Sequence, residues 1–244
     1  MKIKILGSAS GLPTSSRNHS CLLVSGSKAN LLVDCGEPAA RTLVEMGYDP
    51  DFLDGIVITH FHPDHVCGIY MVIQLLHIKK RKKDLYLYLP ESISAFRASL
   101  DMFYLFPEKL PYKLMIRNIS EVEQDFKFLS IMENDHLRMY RDHVTKNGLP
   151  NELKSYSISF TGDTGAVLYT SDLSNVRALS PAINSARIII IDALHPSLEQ
   201  IEEVIFTQKD IILTHGISQK LEDQLKTRIY NNVKKADDYQ EIQF

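Results

Sequence analysis

The chain has 244 residues, 44% hydrophobic and 23% charged, with a formal net charge of -3. That balance is ordinary for a soluble globular protein, and it provides no global field for drawing in nucleic acid or an anionic membrane. The three cysteines, Cys21, Cys35 and Cys67, are odd in number and lack CxxC spacing, so neither a disulfide framework nor a thiolate zinc site is indicated.

No apolar run approaches the ~20 residues that a membrane helix needs. The opening Met1–Leu6 is too short for a signal peptide and already reads as a strand. A soluble, cytoplasmic protein without membrane contact is expected. A chain of this size can bury one substantial core, and neither a linker nor a solenoid period interrupts it. Residues 1–244 are therefore expected to form a single domain.

Lys2–Leu6 alternates polar and apolar residues, as a half-buried edge strand would. Gly7–Pro13 is a small-residue loop, suited either to close approach of backbone to a ligand or to a tight connection. Cys21–Val24 and Asn30–Val33 read as strands joined by the turn Ser25–Lys28, and Pro38–Met46 reads as a helix stopped by Gly47. Gly55–Thr59 is a short buried strand. Directly after it come His60, His62, Asp64 and His65, with Pro63 admissible only near a helix start. Three of the chain's nine histidines thus fall within six residues, on a bend able to fold them around one or two cations. Imidazole nitrogen with carboxylate oxygen suits zinc, and also iron or manganese.

His-x-His-x-Asp-His after an apolar strand resembles the metallo-β-lactamase superfamily of metal-dependent hydrolases. The opening Gly7-Ser8-x-x-Gly11-x-Pro13, then Arg17-Asn18-His19-Ser20 and Asp34-Cys35-Gly36-Glu37, narrows the likeness. These resemble the ribonuclease Z-type branch, which includes cyclic phosphodiesterases of phosphonate catabolism and other small phosphodiesterases. The resemblance implies an α/β fold of four layers, an αββα sandwich of two mixed β-sheets flanked by helices. It also implies further ligands: a histidine, an aspartate after a strand, and a histidine near the C-terminus.

Beyond the metal loop, Gly68–His77 reads as an apolar helix. Lys79–Lys83 is a run of five basic residues, read as a solvated loop in preference to a phosphate-backbone patch. Leu85–Leu89 is a strand. Within Ile93–Phe106 the adjacent Met102, Phe103, Tyr104, Leu105 and Phe106 offer core, pocket wall or a homodimer contact, with core the expected role. Phe126–Met132 is a strand followed by His136, where the family's third histidine falls; His143, farther from the strand end, is the rival. Ser155–Phe160 and Val167–Thr170 form a hairpin around Thr161–Gly165. It delivers Asp172, the match to the family's bridging aspartate, while Asp163 in the turn is the competing carboxylate. The β-branched run Arg187–Ile191 reads as a strand buried on both faces and ends in Asp192 and His195. Ile201–Phe206 is a helix, Ile211–Thr214 a strand ending in His215, and Lys220–Asn232 an amphipathic helix. The tail beyond it carries no readable signal.

By resemblance, His60, His62 and His136 would hold one divalent metal, Asp64, His65 and His215 a second, and Asp172 would bridge them. Such a pair leaves room for a shared hydroxide that attacks phosphorus. Asp64, Asp192 and His195 are the catalytic candidates. The Asp192–His195 pair either orients a proton donor for the leaving group, or Asp192 supports a ligand imidazole. The family's tRNA-processing members carry a long arm between the third histidine and the bridging aspartate, and here only Leu137–Lys154 remains for one. A small-molecule phosphodiester, cyclic or nucleotide-derived, is therefore expected ahead of nucleic acid. The alternatives are a thioester, lactone or β-lactam hydrolase on the same site, and a non-catalytic metal-holding carrier.

Overall fold

The computed structural model describes residues 1–26 and 28–244; Ser27, in the expected turn Ser25–Lys28, lies outside the described residues. The strands are β1 (Lys2–Gly7), β2 (Cys21–Ser25), β3 (Asn30–Val33), β4 (Gly55–Val57), β5 (Leu85–Leu89), β6 (Leu114–Asn118), β7 (Leu129–Glu133), β8 (Tyr156–Gly162), β9 (Gly165–Tyr169), β10 (Ala186–Ala193), β11 (Asp210–Ile217), β12 (Val233–Lys235) and β13 (Glu241–Gln243). The helices are α1 (Ala39–Glu45), α2 (Pro63–Val66), α3 (Ile69–Ile78), α4 (Ile93–Met102), α5 (Val122–Asp125), α6 (Arg141–Asn147), α7 (Ser180–Ser185), α8 (Leu198–Ile205) and α9 (Gln219–Thr227).

Two mixed sheets result, ordered β13-β1-β2-β3-β4-β5-β6 and β12-β11-β10-β9-β8-β7. Period-two alternation sorts their side chains between layers. In β10, Ile188 and Ile190 enter the core between the sheets, while Ile189 and Ile191 pack with Ile183, Ile201 and Val204 of α7 and α8. In β5, Tyr86 and Tyr88 face the other sheet, while Leu85, Leu87 and Leu89 meet Ile69, Val72 and Ile73 of α3. Helix, sheet, sheet and helix layers follow, the αββα sandwich of the metallo-β-lactamase fold.

Four expectations change. β1 is interior, because the unread tail returns as β13 and pairs antiparallel with it, Lys2 opposite Gln243. The long Lys220–Asn232 helix stops at Thr227 and gives way to β12. In the basic run, Arg81 is fully buried and donates to the carbonyls of Pro50, Leu53 and Asp84 at 2.5–2.8 Å, while its four lysine neighbours are exposed. In the aromatic run Leu105 is buried, but Met102, Phe103 and Tyr104 are exposed. There α4 ends and Tyr104 adopts φ +59°, turning the chain outward.

The topology sets where side chains can meet. β7 and β8 are antiparallel, as are β8 and β9, while β9, β10 and β11 are mutually parallel. The C-terminal ends of β7, β9, β10 and β11 therefore share one edge of the second sheet. The parallel strands β3, β4 and β5 bring their C-terminal ends to the facing edge, where the Tyr156 amide donates to the Thr59 carbonyl at 3.1 Å.

Candidate metal centre

The bend after β4 supplies His60 and His62, and the first turn of α2 supplies Asp64 and His65. His136 opens a 3-10 turn three residues past β7, Asp172 lies three residues past β9, and His215 lies within β11. All seven converge on one point where the two sheet edges face each other. Asp172 occupies the middle. Its Oδ2 lies 3.0 Å from His215 Nε2, 3.5 Å from His136 Nε2 and 3.8 Å from His60 Nε2, while its Oδ1 lies 3.2 Å from His65 Nε2. His62 Nδ1 and His136 Nε2 approach to 3.1 Å, and Asp64 Oδ2 is 3.7 Å from His65 and 3.8 Å from His215.

These donors divide into two sets sharing Asp172: His60, His62, His136, and Asp64, His65, His215. His60 Nε2, His65 Nε2 and Asp172 Oδ1 are buried without a hydrogen-bond partner among the described residues. Leaving such atoms unpaired costs about 1–3 kcal/mol each. Nitrogen lone pairs crowded around a carboxylate at these spacings form an arrangement that divalent cations satisfy, so the residues fit the metal that the donor chemistry calls for.

Electrostatics agrees with that use. Burial pushes His60 well below the ordinary imidazole range, lowers His62, and takes His136 down to about 4, keeping these rings neutral and able to ligate at neutral pH. Burial also opposes charge on His65, but Asp172 and Asp34 overcome it and hold that ring above its usual range. Burial opposes charge on Asp172 too, yet His65 and His215 keep its carboxyl well below the usual carboxylate range.

A hub of buried polar groups behind the donors was not singled out from sequence. Asp34, fully buried, accepts from the Thr59 amide at 2.8 Å, the Thr59 hydroxyl at 2.8 Å and the Tyr169 hydroxyl at 3.0 Å, and it pairs with His65 Nδ1 at 2.8 Å. With a cation in place of the second ring proton, that last bond would keep the remaining proton on His65 Nδ1 and turn Nε2 toward the cation. The Thr59 hydroxyl also lies 3.1 Å from His60 Nδ1, and Ser20 Oγ lies 3.3 Å from His215 Nδ1. Asp34 (φ 59°), Ser171 (φ 50°) and His215 (φ 61°) all adopt the left-handed region, strain that the surrounding sheets must offset. Asp34 directly ends the apolar run Leu31–Val33, the same signal that marked the other site residues. Gly11 places the loop after β1 against Asp64: a Cβ there would lie 3.5 Å from its carboxylate, so this loop borders the site.

The structure brings His195 and Asp192 to the same place. His195 Nδ1 lies 2.8 Å from Asp192 Oδ2, and its ring stacks on His215 with centroids 5.2 Å apart. The Asp192 hydrogen bond chiefly raises the His195 pKa. Asp192 also accepts from the amides of Leu173, Leu194 and His195, so among the described residues the imidazole this carboxylate orients is that of His195. The rivals lie elsewhere. His143 sits exposed on α6 with Asn147 beside it, and Asp163 projects into solvent from the β8–β9 turn.

The family model described as Anti-Pycsar protein Apyc1 matches residues 1–239. The chain belongs to the Anti-Pycsar protein Apyc1 family. Among curated relatives, ribonuclease Z of Archaeoglobus fulgidus is 29% identical over 123 residues, which is 50% of this chain and 39% of that protein. The match thus spans well under half the length of that relative. Among solved structures, the human tRNase Z short form superposes with a TM-score of 0.73 at 16% identity, covering 100% of this chain and 99% of that one. Zn(2+)-bound PqqB from Methylobacterium extorquens gives a TM-score of 0.70 at 14% identity, with 100% of both chains covered. The chain thus shares its fold with these metallo-β-lactamase-type structures and resembles ribonuclease Z in sequence over about half its length. Among the described residues no helix is long and apolar enough to cross a membrane.

Proposed function

We propose that the protein is a dinuclear metal-dependent hydrolase that cleaves a small phosphodiester, cyclic or nucleotide-derived. The observation that carries this reading is Asp172, buried between two histidine-rich donor sets, with the Asp192–His195 pair at their margin. His60, His62 and His136 would hold one divalent ion and Asp64, His65 and His215 the other, with Asp172 shared. The mixed nitrogen and oxygen donors favour zinc, with manganese and iron as the other candidates. When bound, the cations supply Lewis acidity, lowering the pKa of water and taking up charge on phosphoryl oxygens.

The chain's own groups supply orientation and a proton. Asp34, Thr59 and Ser20 each hold the far nitrogen of a donor imidazole, so the near nitrogen meets its ligand without reorganisation. His195, one-third exposed and with its pKa raised chiefly by the Asp192 hydrogen bond, is the candidate to protonate the departing ester oxygen. Substrate size follows from the segment between His136 and Asp172. It holds a short turn and the seven-residue α6 before β8, and no long arm. A small phosphodiester is therefore favoured over a tRNA, although the curated relative is named a ribonuclease.

Turnover by the metal-loaded protein tests the reading. Bis(p-nitrophenyl) phosphate should be hydrolysed, with lactones, thioesters and β-lactams spared. Exclusive turnover of the carboxyl derivatives would replace the phosphodiesterase reading, and tight binding without turnover of any of them would make the protein a carrier.

A further inference from the structure

The segment between His136 and Lys154 leaves the sheet and stands in solvent, yet both of its ends are fixed. At the start, Asp135 accepts the amides of Ser174 and Asn175 at 3.1 and 3.2 Å, tying the turn to the loop after Asp172. At the far end, buried Glu91 accepts the amides of Glu152 and Lys154 at 2.6 and 3.5 Å. Past buried Leu137, residues 138–152 are exposed apart from half-buried Val144. An exposed turn needs no apolar side chain, but this one carries Met139 (68% exposed) and Tyr140 (43%) next to each other.

Tyr140 is set by geometry against the site. Its ring meets that of His62 at 5.8 Å between centroids and 89° between planes. The other donors are buried; His62 reaches the surface, and so does His195 beside the donors. An ester whose phosphorus sits among the donors must send its substituents out through that opening, and on the His62 side they meet Tyr140. An aromatic face at such a rim stacks a flat ring while tolerating different ring types.

We propose that Tyr140 is a specificity-determining residue: its ring is a stacking wall that selects phosphate esters bearing a planar aromatic group, a nucleobase or an aryl. This rests on the phosphodiesterase reading above for its substrate, but its test does not depend on turnover. Binding of phenyl phosphate and methyl phosphate to the metal-loaded protein is measured by calorimetry for wild type, Tyr140→Ala, Tyr140→Phe and Tyr140→Trp. The wild type should prefer phenyl phosphate about 10-fold, within the range for a single stacked ring. Tyr140→Ala should erase the preference and leave methyl phosphate within about twofold, since only a stacking contact is lost. The Phe and Trp variants should keep it. Metal content and the melting temperature of the alanine variant should match wild type, because Tyr140 lies on the exposed face of its turn and outside the core. A wild type with no preference, a preference that survives in Tyr140→Ala, or binding of neither monoester would overturn the inference. Hydrolysis of bis(p-nitrophenyl) phosphate by wild type, measured in parallel, reports on the phosphodiesterase reading alone. Its failure beside an intact phenyl preference would leave the Tyr140 inference standing.

Discussion

The two donor sets flanking Asp172 are alike in chemistry but unlike in support. In the set of Asp64, His65 and His215, every imidazole is backed by another side chain: Asp34 holds His65 and Ser20 holds His215. In the set of His60, His62 and His136, only His60 has such backing among the described residues, from Thr59. His136 Nδ1 is buried without a partner among the described residues, and His62 and His136 lean on one another. One set is thus held throughout by the hub between the sheets, while in the other only His62 reaches the rim beside Tyr140, and His62 and His136 lack that support. A centre can be rigid where it must order a cation and yielding where it must admit a substrate.

Removing what the sets share should have the largest effect. Asp172→Ala should abolish hydrolysis and lower metal content in elemental analysis; a fully active, fully loaded variant would remove Asp172 from the centre. His195 touches both sets, stacking on His215 and meeting His136 edge-on at 4.8 Å. His195→Ala should therefore slow turnover by about 10²–10⁴-fold, the usual span for a lost acid–base group, with metal content intact. Loss of metal in that variant would make His195 a ligand.

Asp34→Ala sharpens the contrast. It strands the Thr59 amide, two hydroxyls and His65 Nδ1, so metal affinity should fall by about 10–100-fold. Stability should fall as well, by about 3 kcal/mol in denaturant titration, since buried polar groups lose their acceptor. If the supported set is the tighter one, the weaker of two binding steps in a metal titration should change little. Ser20→Ala removes one 3.3 Å contact and should weaken metal binding only a few-fold, about what one net hydrogen bond contributes.

The subtlest change is in pH dependence. Asp192 raises the His195 pKa, so the protonated ring persists to higher pH and is lost as pH rises through that raised value. A rate that needs this proton should fall on the alkaline side. In Asp192→Asn the fall should begin at lower pH, because the group that stabilised the charge is gone. An unmoved alkaline limb would exclude His195 as the donor.

Much of this centre was legible in the sequence because its residues follow apolar runs. Ile56–Ile58 precedes His60, Val167–Tyr169 precedes Asp172, Ile188–Ile191 precedes Asp192, and Ile211–Leu213 precedes His215. Periodicity and punctuation are local properties, so strands, their ends and the metal-capable residues placed there can be read along the chain. The likeness to the ribonuclease Z branch rested on the same local motifs. Asp34 carried an equal signal at the end of Leu31–Val33 but has no role until Thr59, His65 and Tyr169, distant along the chain, meet it. The pairing of β13 with β1, the burial of Arg81 under three carbonyls and the contact of Tyr140 with His62 share that character. Each depends on which distant backbone or ring arrives beside a residue. Sequence by itself determined which side chains could bind metal and where strands would end; only the folded sheets decided which of them met, and which ring lies against His62.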